Sequence, residues 1–315
     1  MQTNNIEHIT VIGAGLMGHG IALEFALSGY SVNLTDISQE NLDNAINTIN
    51  TTLKNLVNMG LESDKTAEET PKRINTFIDL ENSVSNADFV IEAVNENLGL
   101  KKSIFSQLDK FCPNHTILAS NSSSFMPSQI APDTERNRLT LVAHYFNPPY
   151  LLPLVEIVRG PFTSIETIDT VYNLFLHLGK KPVVLLKEAP GFIANRIQVA
   201  ILREAISIVE KGIASPQDVD VAVRNSFGRR EAIAGPFEVA DVGGWDVVVA
   251  SISEILPDIE SSANMPSMAQ DLVQQGNLGV KTGKGIYEWS PESSQVFKDK
   301  VGQALVTIER LSSSE

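Results

Sequence analysis

Apolar residues recur along this chain in two registers, and the change from one to the other marks its architecture. Through the first half, short apolar runs at residues 9–12, 32–34, 89–93, 116–119 and 139–143 alternate with amphipathic stretches. That alternation predicts a mostly parallel sheet covered by helices on both faces. A strand at 154–158, a helix at 164–178 and a strand at 182–186 complete the unit. Beyond Lys187-Glu-Ala-Pro-Gly191 the strand signals stop, and helical patterns run through 192–211, 215–225 and 236–255. Ser215-Pro-Gln-Asp218 is a good helix start, with Ser at the N-cap and Pro at the first helical position. The boundary falls near Glu188, giving an α/β domain over 1–188 and an all-helical domain over 189–315.

Two segments elaborate this plan. Residues 41–59 read as one amphipathic helix, with Leu42, Ala45, Ile46, Ile49, Leu53, Leu56 and Val57 on a stripe, and 66–73 as a second. Such a pair, spanning about 41–75, is expected to project from the sheet as one wall of a substrate cleft. In the helical half, the stripe Ile193, Ile197, Ala200, Ile201, Ala205 and Ile208 needs a partner surface, so a homodimer through this half is expected. The tail from Ser290 onward is expected to fray.

The first apolar run leads into Gly13-Ala-Gly15-Leu-Met-Gly18, and the second strand ends at Asp36. Only a dinucleotide site accounts for all these parts together. Gly13 permits a tight turn, Gly15 lets the backbone approach a pyrophosphate, and Gly18 lets the following helix pack closely on the sheet. A helix beginning near Leu16 presents the amides of Leu16 and Met17, with its positive dipole end, to the phosphates. No basic side chain is then required. Asp36 accepts hydrogen bonds from a ribose hydroxyl and repels the extra phosphate of NADP, so the expected cofactor is NAD.

A length of 315 residues agrees with two domains. With 38 acidic and 24 basic residues the net charge is -14, which argues against nucleic acid or an anionic membrane surface as partner. A polyanionic substrate would need a local basic patch. No apolar run approaches membrane-spanning length and the start carries no signal-peptide pattern, so a cytoplasmic location is expected. The single Cys112 leaves no internal disulfide and no cysteine-cluster metal site, and no metal is expected. Its surroundings, Leu108-Asp-Lys-Phe-Cys112-Pro, read as a helix-end core thiol.

Alcohol oxidation needs a group to take the hydroxyl proton, and histidine suits this because it titrates near neutrality. His8, His19, His115 and His177 are placed like structural or exposed residues. His144 follows an apolar strand and opens the loop Tyr145-Phe-Asn147-Pro-Pro-Tyr150, at the sheet edge where ligands of open parallel sheets bind. Glu156 interrupts the apolar run Leu154-Val-Glu156-Ile-Val158, and a carboxylate there needs a partner such as that imidazole. Taken singly, each also has an ordinary structural use. Ala119-Ser-Asn121-Ser-Ser123-Ser-Phe125 brings hydroxyls to the same edge, where turn capping is their plain role. Asn195 opens the first helix of the second domain, either facing the cleft or bonding between helices.

With these residues in hand, the chain resembles the 3-hydroxyacyl-CoA dehydrogenase family over nearly its whole length. The matching segments are VIGAGLMGHGIA, DFVIEAVNENLGLKKSIF, ILASNSSSF, HYFNPPYLLPLVEIV, PGFIANR, GPFEVAD and GVKTGKGIY. The resemblance implies a Rossmann-type NAD-binding domain, a helical dimerisation domain and reversible oxidation of an L-3-hydroxyacyl-CoA. It implies His144 as general base, Glu156 as its orienting carboxylate, and Ser123 and Asn195 as holders of the substrate's oxygens. Glu96, Lys101, Asn147 and Lys281 fall where the family contacts NAD. Read as residues alone, Glu96 and Lys101 are equally exposed helix-start charges and Lys281 a turn lysine.

Departures bear on the substrate. Coenzyme A users of the family carry lysines on the projecting helix, whereas Met59 stands where one is expected here, leaving Thr52 and Lys54 nearby. The loop after His144 and the segment Phe227-Gly-Arg229-Arg-Glu-Ala-Ile-Ala-Gly235-Pro look more like relatives that oxidise free 3-hydroxy acids. Those are L-gulonate 3-dehydrogenase with its lambda-crystallin kin, and carnitine dehydrogenase. Arg230 would then clamp a carboxylate; it reads equally as a surface arginine at a helix end. Two other readings are weaker. A catalytically idle NAD-binding structural protein has no need to keep His144, Glu156, Ser123 and Asn195 together. The 3-hydroxyisobutyrate or 6-phosphogluconate dehydrogenase type needs a lysine where this chain has Asn195-Arg196.

Overall fold

A computed structural model describes residues 6–132 and 134–312 and divides into two compact units, Met1–Arg196 and Ile197–Glu315. In the first unit, strand and helix alternate because apolar residues on each strand point to both faces and need cover on each. The order is β1 (His8–Ile12), α1 (Gly18–Leu27), β2 (Ser31–Thr35), α2 (Gln39–Asn58), α3 (Asp64–Glu69), β3 (Ile74–Phe77), α4 (Leu80–Val84) and β4 (Phe89–Glu92). There follow α5 (Leu98–Phe111), β5 (Ile117–Ser120), α6 (Pro127–Ile130), β6 (Thr140–Tyr145), β7 (Leu154–Arg159), α7 (Ile165–His177) and β8 (Lys181–Leu185). The strands make one sheet in the order β3-β2-β1-β4-β5-β6-β7-β8.

Alternate residues feed two cores. Ile9, Val11, Phe89, Ile91, Leu141 and Ala143 pack with Phe25 of α1, Leu42 and Ile49 of α2, and Phe175 of α7. Val90, Leu118, Val142 and Val158 face the other way, onto Phe105 and Leu108 of α5 and Ile130 of α6. This is the expected Rossmann-type, doubly wound α/β sheet. Each fully buried large side chain here contributes about 1.5–3 kcal/mol.

The sheet is mostly parallel, and its one antiparallel pairing matters most. β6 and β7 run in opposite directions, with His144 opposite Glu156. His144 is therefore a strand residue, one position before the end of β6, and does not open the loop as expected. β3 is an edge strand that apolar periodicity missed, because Ile-Asn-Thr-Phe buries only its first residue. The helix of the glycine motif starts at Gly18, two residues later than expected, with Leu16 and Met17 in the preceding turn. The predicted stripe of α2 is buried at Leu42, Ala45, Ile49, Leu53 and Leu56, and Ser38 caps the helix by accepting from the Asn41 amide at 3.3 Å.

A buried ion pair ties the cofactor-side helix to the loop after β6. The Lys180 ammonium pairs with Glu24 of α1 and donates to the Pro149 carbonyl at 2.5 Å and the Leu152 carbonyl at 3.1 Å. Cys112 caps α5 and is buried, and burial pushes its thiol up to about 12, so it is a core thiol.

Beyond β8, α8 (Ala194–Glu210) leads into α9 (Pro216–Asn225), α10 (Phe227–Arg230), α11 (Pro236–Gly243), α12 (Trp245–Ile255), α13 (Ser267–Gln274) and α14 (Pro291–Ser312). Ser215 caps α9 as predicted, accepting from the Asp218 amide at 3.2 Å. The single helix expected over 236–255 is two, broken at Gly244, whose φ of 84° suits glycine alone. The tail expected to fray is helical from Pro291 to Ser312; residues 313–315 lie outside the described residues.

Candidate active site

The carboxyl ends of β1, β2 and β4 surround a pocket of about 610 Å³. Gly13 turns at φ 97°, and a Cβ there would lie 2.8 Å from the Ala93 carbonyl oxygen. A Cβ on Gly18 would overlap the Gly13 carbonyl, whereas one on Gly15 meets nothing within 4 Å. Each glycine thus has its own reason: a turn, a close packing, and a bare backbone face toward the pocket. The Gly13 and Ala14 amides are taken by the Thr35 carbonyl and Asp36; the amides that follow, with the positive end of α1, suit a pyrophosphate there. Asp36 is oriented at the lip by three donors, the Ala14 amide at 2.9 Å on one oxygen, and the Ser38 amide and Asn41 side chain, each at 3.0 Å, on the other. The site fits NAD.

A second cluster lies at the ends of β4 and β5. Lys101, 1 % exposed, donates to Glu92 at 2.8 and 3.1 Å and approaches Glu96 at 3.2 Å. It is not the exposed charge a helix start suggests; it is held between Glu92 and Glu96. One Glu96 oxygen accepts from the Ser122 hydroxyl at 2.5 Å, the Ser124 hydroxyl at 2.7 Å, and the Ser123 and Ser124 amides at 3.1 Å. Burial opposes ionised Glu96, but the two serine hydroxyls and the Lys101 charge outweigh it and hold its carboxyl below the usual range. Glu96 thereby fixes the loop that carries Ser123. Glu92, whose Oε2 also takes the Ser120 hydroxyl at 2.6 Å, is not among the residues the sequence singled out. Its signal is of the same kind as that of Glu156, a carboxylate in an apolar strand.

That loop delivers Ser123 to His144. The imidazole Nδ1 lies 2.8 Å from Glu156 Oε2, and Nε2 lies 3.1 Å from Ser123 Oγ. A carboxylate only accepts, so Nδ1–H donates to Glu156 and Nε2 carries the lone pair in the neutral ring. The other Glu156 oxygen accepts the Ile193 and Ala194 amides at 2.9 Å each, where the chain enters α8. These two amides were not foreseen either. Burial raises the Glu156 carboxyl, yet the His144 bond and the two amides more than reverse it, holding the acid ionised. Phe146 and Phe192 flank the imidazole at ring distances of 4.6 and 5.3 Å, and Phe192 takes a φ of 53°, rare outside glycine.

The remaining residues separate. Asn195 is half-buried and follows Ala194, so the chain places it beside Glu156. Asn147 is exposed in the loop after β6. Thr52 is 7 % exposed, on the inner side of α2, and Lys54 is exposed. Lys281, in a turn between Gly279 and Gly283, and Arg230, at the end of α10, are exposed residues of the second unit. Arg230 borders a largely apolar groove between α11 and α12.

A glycine-turn pocket for NAD and, on the same sheet, a His–Glu dyad with a serine on the second ring nitrogen define an NAD-dependent dehydrogenase. Residues 8–189 match the family described as 3-hydroxyacyl-CoA dehydrogenase, NAD binding domain, and residues 191–289 match its C-terminal domain. The chain belongs to the 3-hydroxyacyl-CoA dehydrogenase family. It is 38 % identical over 292 residues to the mitochondrial hydroxyacyl-coenzyme A dehydrogenase of Rattus norvegicus, covering 90 % of this chain and 91 % of that one. It is 40 % identical over 241 residues to the lambda-crystallin homolog of the same species, 76 % of each. The crystal structure of 5-formyl-3-hydroxy-2-methylpyridine 4-carboxylic acid 5-dehydrogenase superposes with a TM-score of 0.90 at 28 % identity, covering 97 % of this chain and 98 % of that one. A protein of that name from Mesorhizobium japonicum is 28 % identical over 306 residues, 97 % of this chain and 98 % of its own.

Proposed function

We propose that this protein catalyses the reversible NAD-dependent oxidation of L-3-hydroxyacyl-CoA to 3-oxoacyl-CoA. The observation that carries the reading is the line Glu156–His144–Ser123, which leaves one imidazole lone pair pointing at an exposed hydroxyl. Bound NAD supplies a hydride acceptor. His144 Nε2 takes the proton of a substrate alcohol that joins Ser123 Oγ, and ionised Glu156 stabilises the imidazolium and holds its tautomer. Asn195 orients the substrate oxygens with Ser123, and Asp36, Glu96 and the amides of the glycine turn seat the cofactor, with Asn147 and Lys281 as further cofactor contacts. General acid–base catalysis of this kind contributes about 10²- to 10⁴-fold.

In this reading residues 1–188 form the cofactor domain and 189–315 the helical substrate and dimerisation domain. Exposed Ile197, Leu202, Phe237 and Val242 favour a homodimer through the helical half. A single, buried Cys112 is in keeping with a cytoplasmic location; among the described residues no helix is long and apolar enough to cross a membrane.

One observation favours a second substrate class, a free 3-hydroxy acid. Of the basic side chains on α2 only Lys54 is present, against Glu40 and Asp43, so the helix offers little to the phosphates of coenzyme A. Initial rates decide: acetoacetyl-CoA with NADH, against L-gulonate and L-carnitine with NAD. Turnover of the thioester alone supports the first class; turnover of a free acid without the thioester replaces it with the second.

A further inference from the structure

His19 follows Gly18 in the first turn of α1 and has no part in the chemistry above. Its Nδ1 lies 2.8 Å from the Gly15 carbonyl oxygen. A carbonyl only accepts, so Nδ1 carries a proton, and Nε2 is the ring atom left to meet a ligand. His19 lines the same pocket as Gly13, Gly15 and Asp36, together with Asn44 and Thr48 of α2. Among the described residues no lysine or arginine lines that pocket, and its only ionised carboxylate is Asp36. A pyrophosphate bridge with two negative charges therefore enters a protein of net charge -14 and meets amide dipoles but no permanent cation from the residues lining that pocket. Among the described residues of the lining, His19 is the one side chain able to become positive.

We propose that His19 is a direct ligand of the cofactor pyrophosphate, taking up a proton from solvent as the dinucleotide binds so that Nε2–H donates to a phosphate oxygen. The bond to Gly15 preorganises the ring, since it fixes the imidazole against the loop that the pyrophosphate must approach. The groups around it do not duplicate the charge. Asp36, at the end of β2, is held by Ala14, Ser38 and Asn41. On α2 the pocket-lining positions Asn41, Asn44, Ala45 and Thr48 are uncharged, and Glu40 and Asp43 lie outside the lining. Pro149 and Tyr150, from the loop after β6, lie against Gly20. Glu24 is committed to Lys180, and Arg73 bonds the Ala26 carbonyl at the far end of α1.

The test is equilibrium binding, followed by NADH fluorescence and by competition with ADP-ribose and adenosine, between about pH 6 and pH 8.5, where histidine changes charge. The wild type is expected to bind NADH and ADP-ribose about 5- to 10-fold more tightly at the acid end, as a charge-assisted hydrogen bond forms. His19→Ala and His19→Gln lose that gain, His19→Lys binds tightly across the range, and adenosine is indifferent to all three. Equal NADH affinity in wild type and His19→Gln at pH 6 overturns the proposal, as does a loss that adenosine shares. Melting temperatures within a few degrees of wild type certify the variants; if His19→Ala misfolds, the Gln and Lys pair carries the comparison.

Discussion

Two buried acid–base pairs sit on opposite sides of the same sheet region and are put to different uses. Lys180 and Glu24 face each other with the ammonium also bonded to two loop carbonyls, while His144 and Glu156 face each other with one ring nitrogen kept for Ser123. Both pairs are withdrawn from water. Burial of charge therefore does not mark a catalytic group here. What marks it is a proton-accepting atom left over at an accessible hydroxyl, on a ring whose other nitrogen is held.

The sharpest break of that contrast is His144→Gln. Turnover should fall by about 10²- to 10⁴-fold with NADH affinity unchanged; near-normal NADH consumption would remove His144 as the base. Next comes Lys180→Met, which strands the Glu24 carboxylate in the core. Unfolding free energy should drop by about 3–5 kcal/mol, measured by urea denaturation, with Glu24→Leu added to Lys180→Met recovering much of it. At temperatures where it remains folded, that double variant should keep its turnover number, which His144→Gln cannot. Glu156→Gln is smaller, about 10- to 10²-fold in kcat, because the amide oxygen still accepts from Nδ1–H but no longer balances the imidazolium.

The mildest effect is on acid stability. Glu96 and Glu156 are both held ionised below the ordinary carboxylate range. A depressed native pKa means that their stabilisation is complete above about pH 4.3, the unfolded value, and is lost as pH falls through the lower native one. Melting temperature should stay level from pH 7 to 5 and then fall, less steeply in Glu96→Gln.

The cofactor half of the site was legible because its parts are contiguous in the chain. Gly13, Gly15, Gly18 and Asp36 act through backbone geometry that one strand–turn–helix sets, so spacing carries the meaning. The dyad was legible as a pairing, since a carboxylate in an apolar strand needs a partner and His144 is near in the chain, but the parallel plan did not supply the register that brings them together. An antiparallel β7 places them in register. Lys101 read equally as an exposed helix-start charge and is buried, since helix periodicity alone does not say which neighbours close over a given position. Glu92 lies inside the apolar run 89–93, where a single carboxylate leaves the strand pattern unchanged.

By itself, the order of residues determined the alternating strands and helices, the glycine turn and the ribose acid, all of which follow from local sterics and periodic burial. Only the tertiary structure decided the register that sets Glu156 against the imidazole, which loop Glu96 pins, and which polar residues reach a pocket. Those choices depend on strand direction and on side chains far apart in the chain, whose mutual desolvation no local pattern encodes.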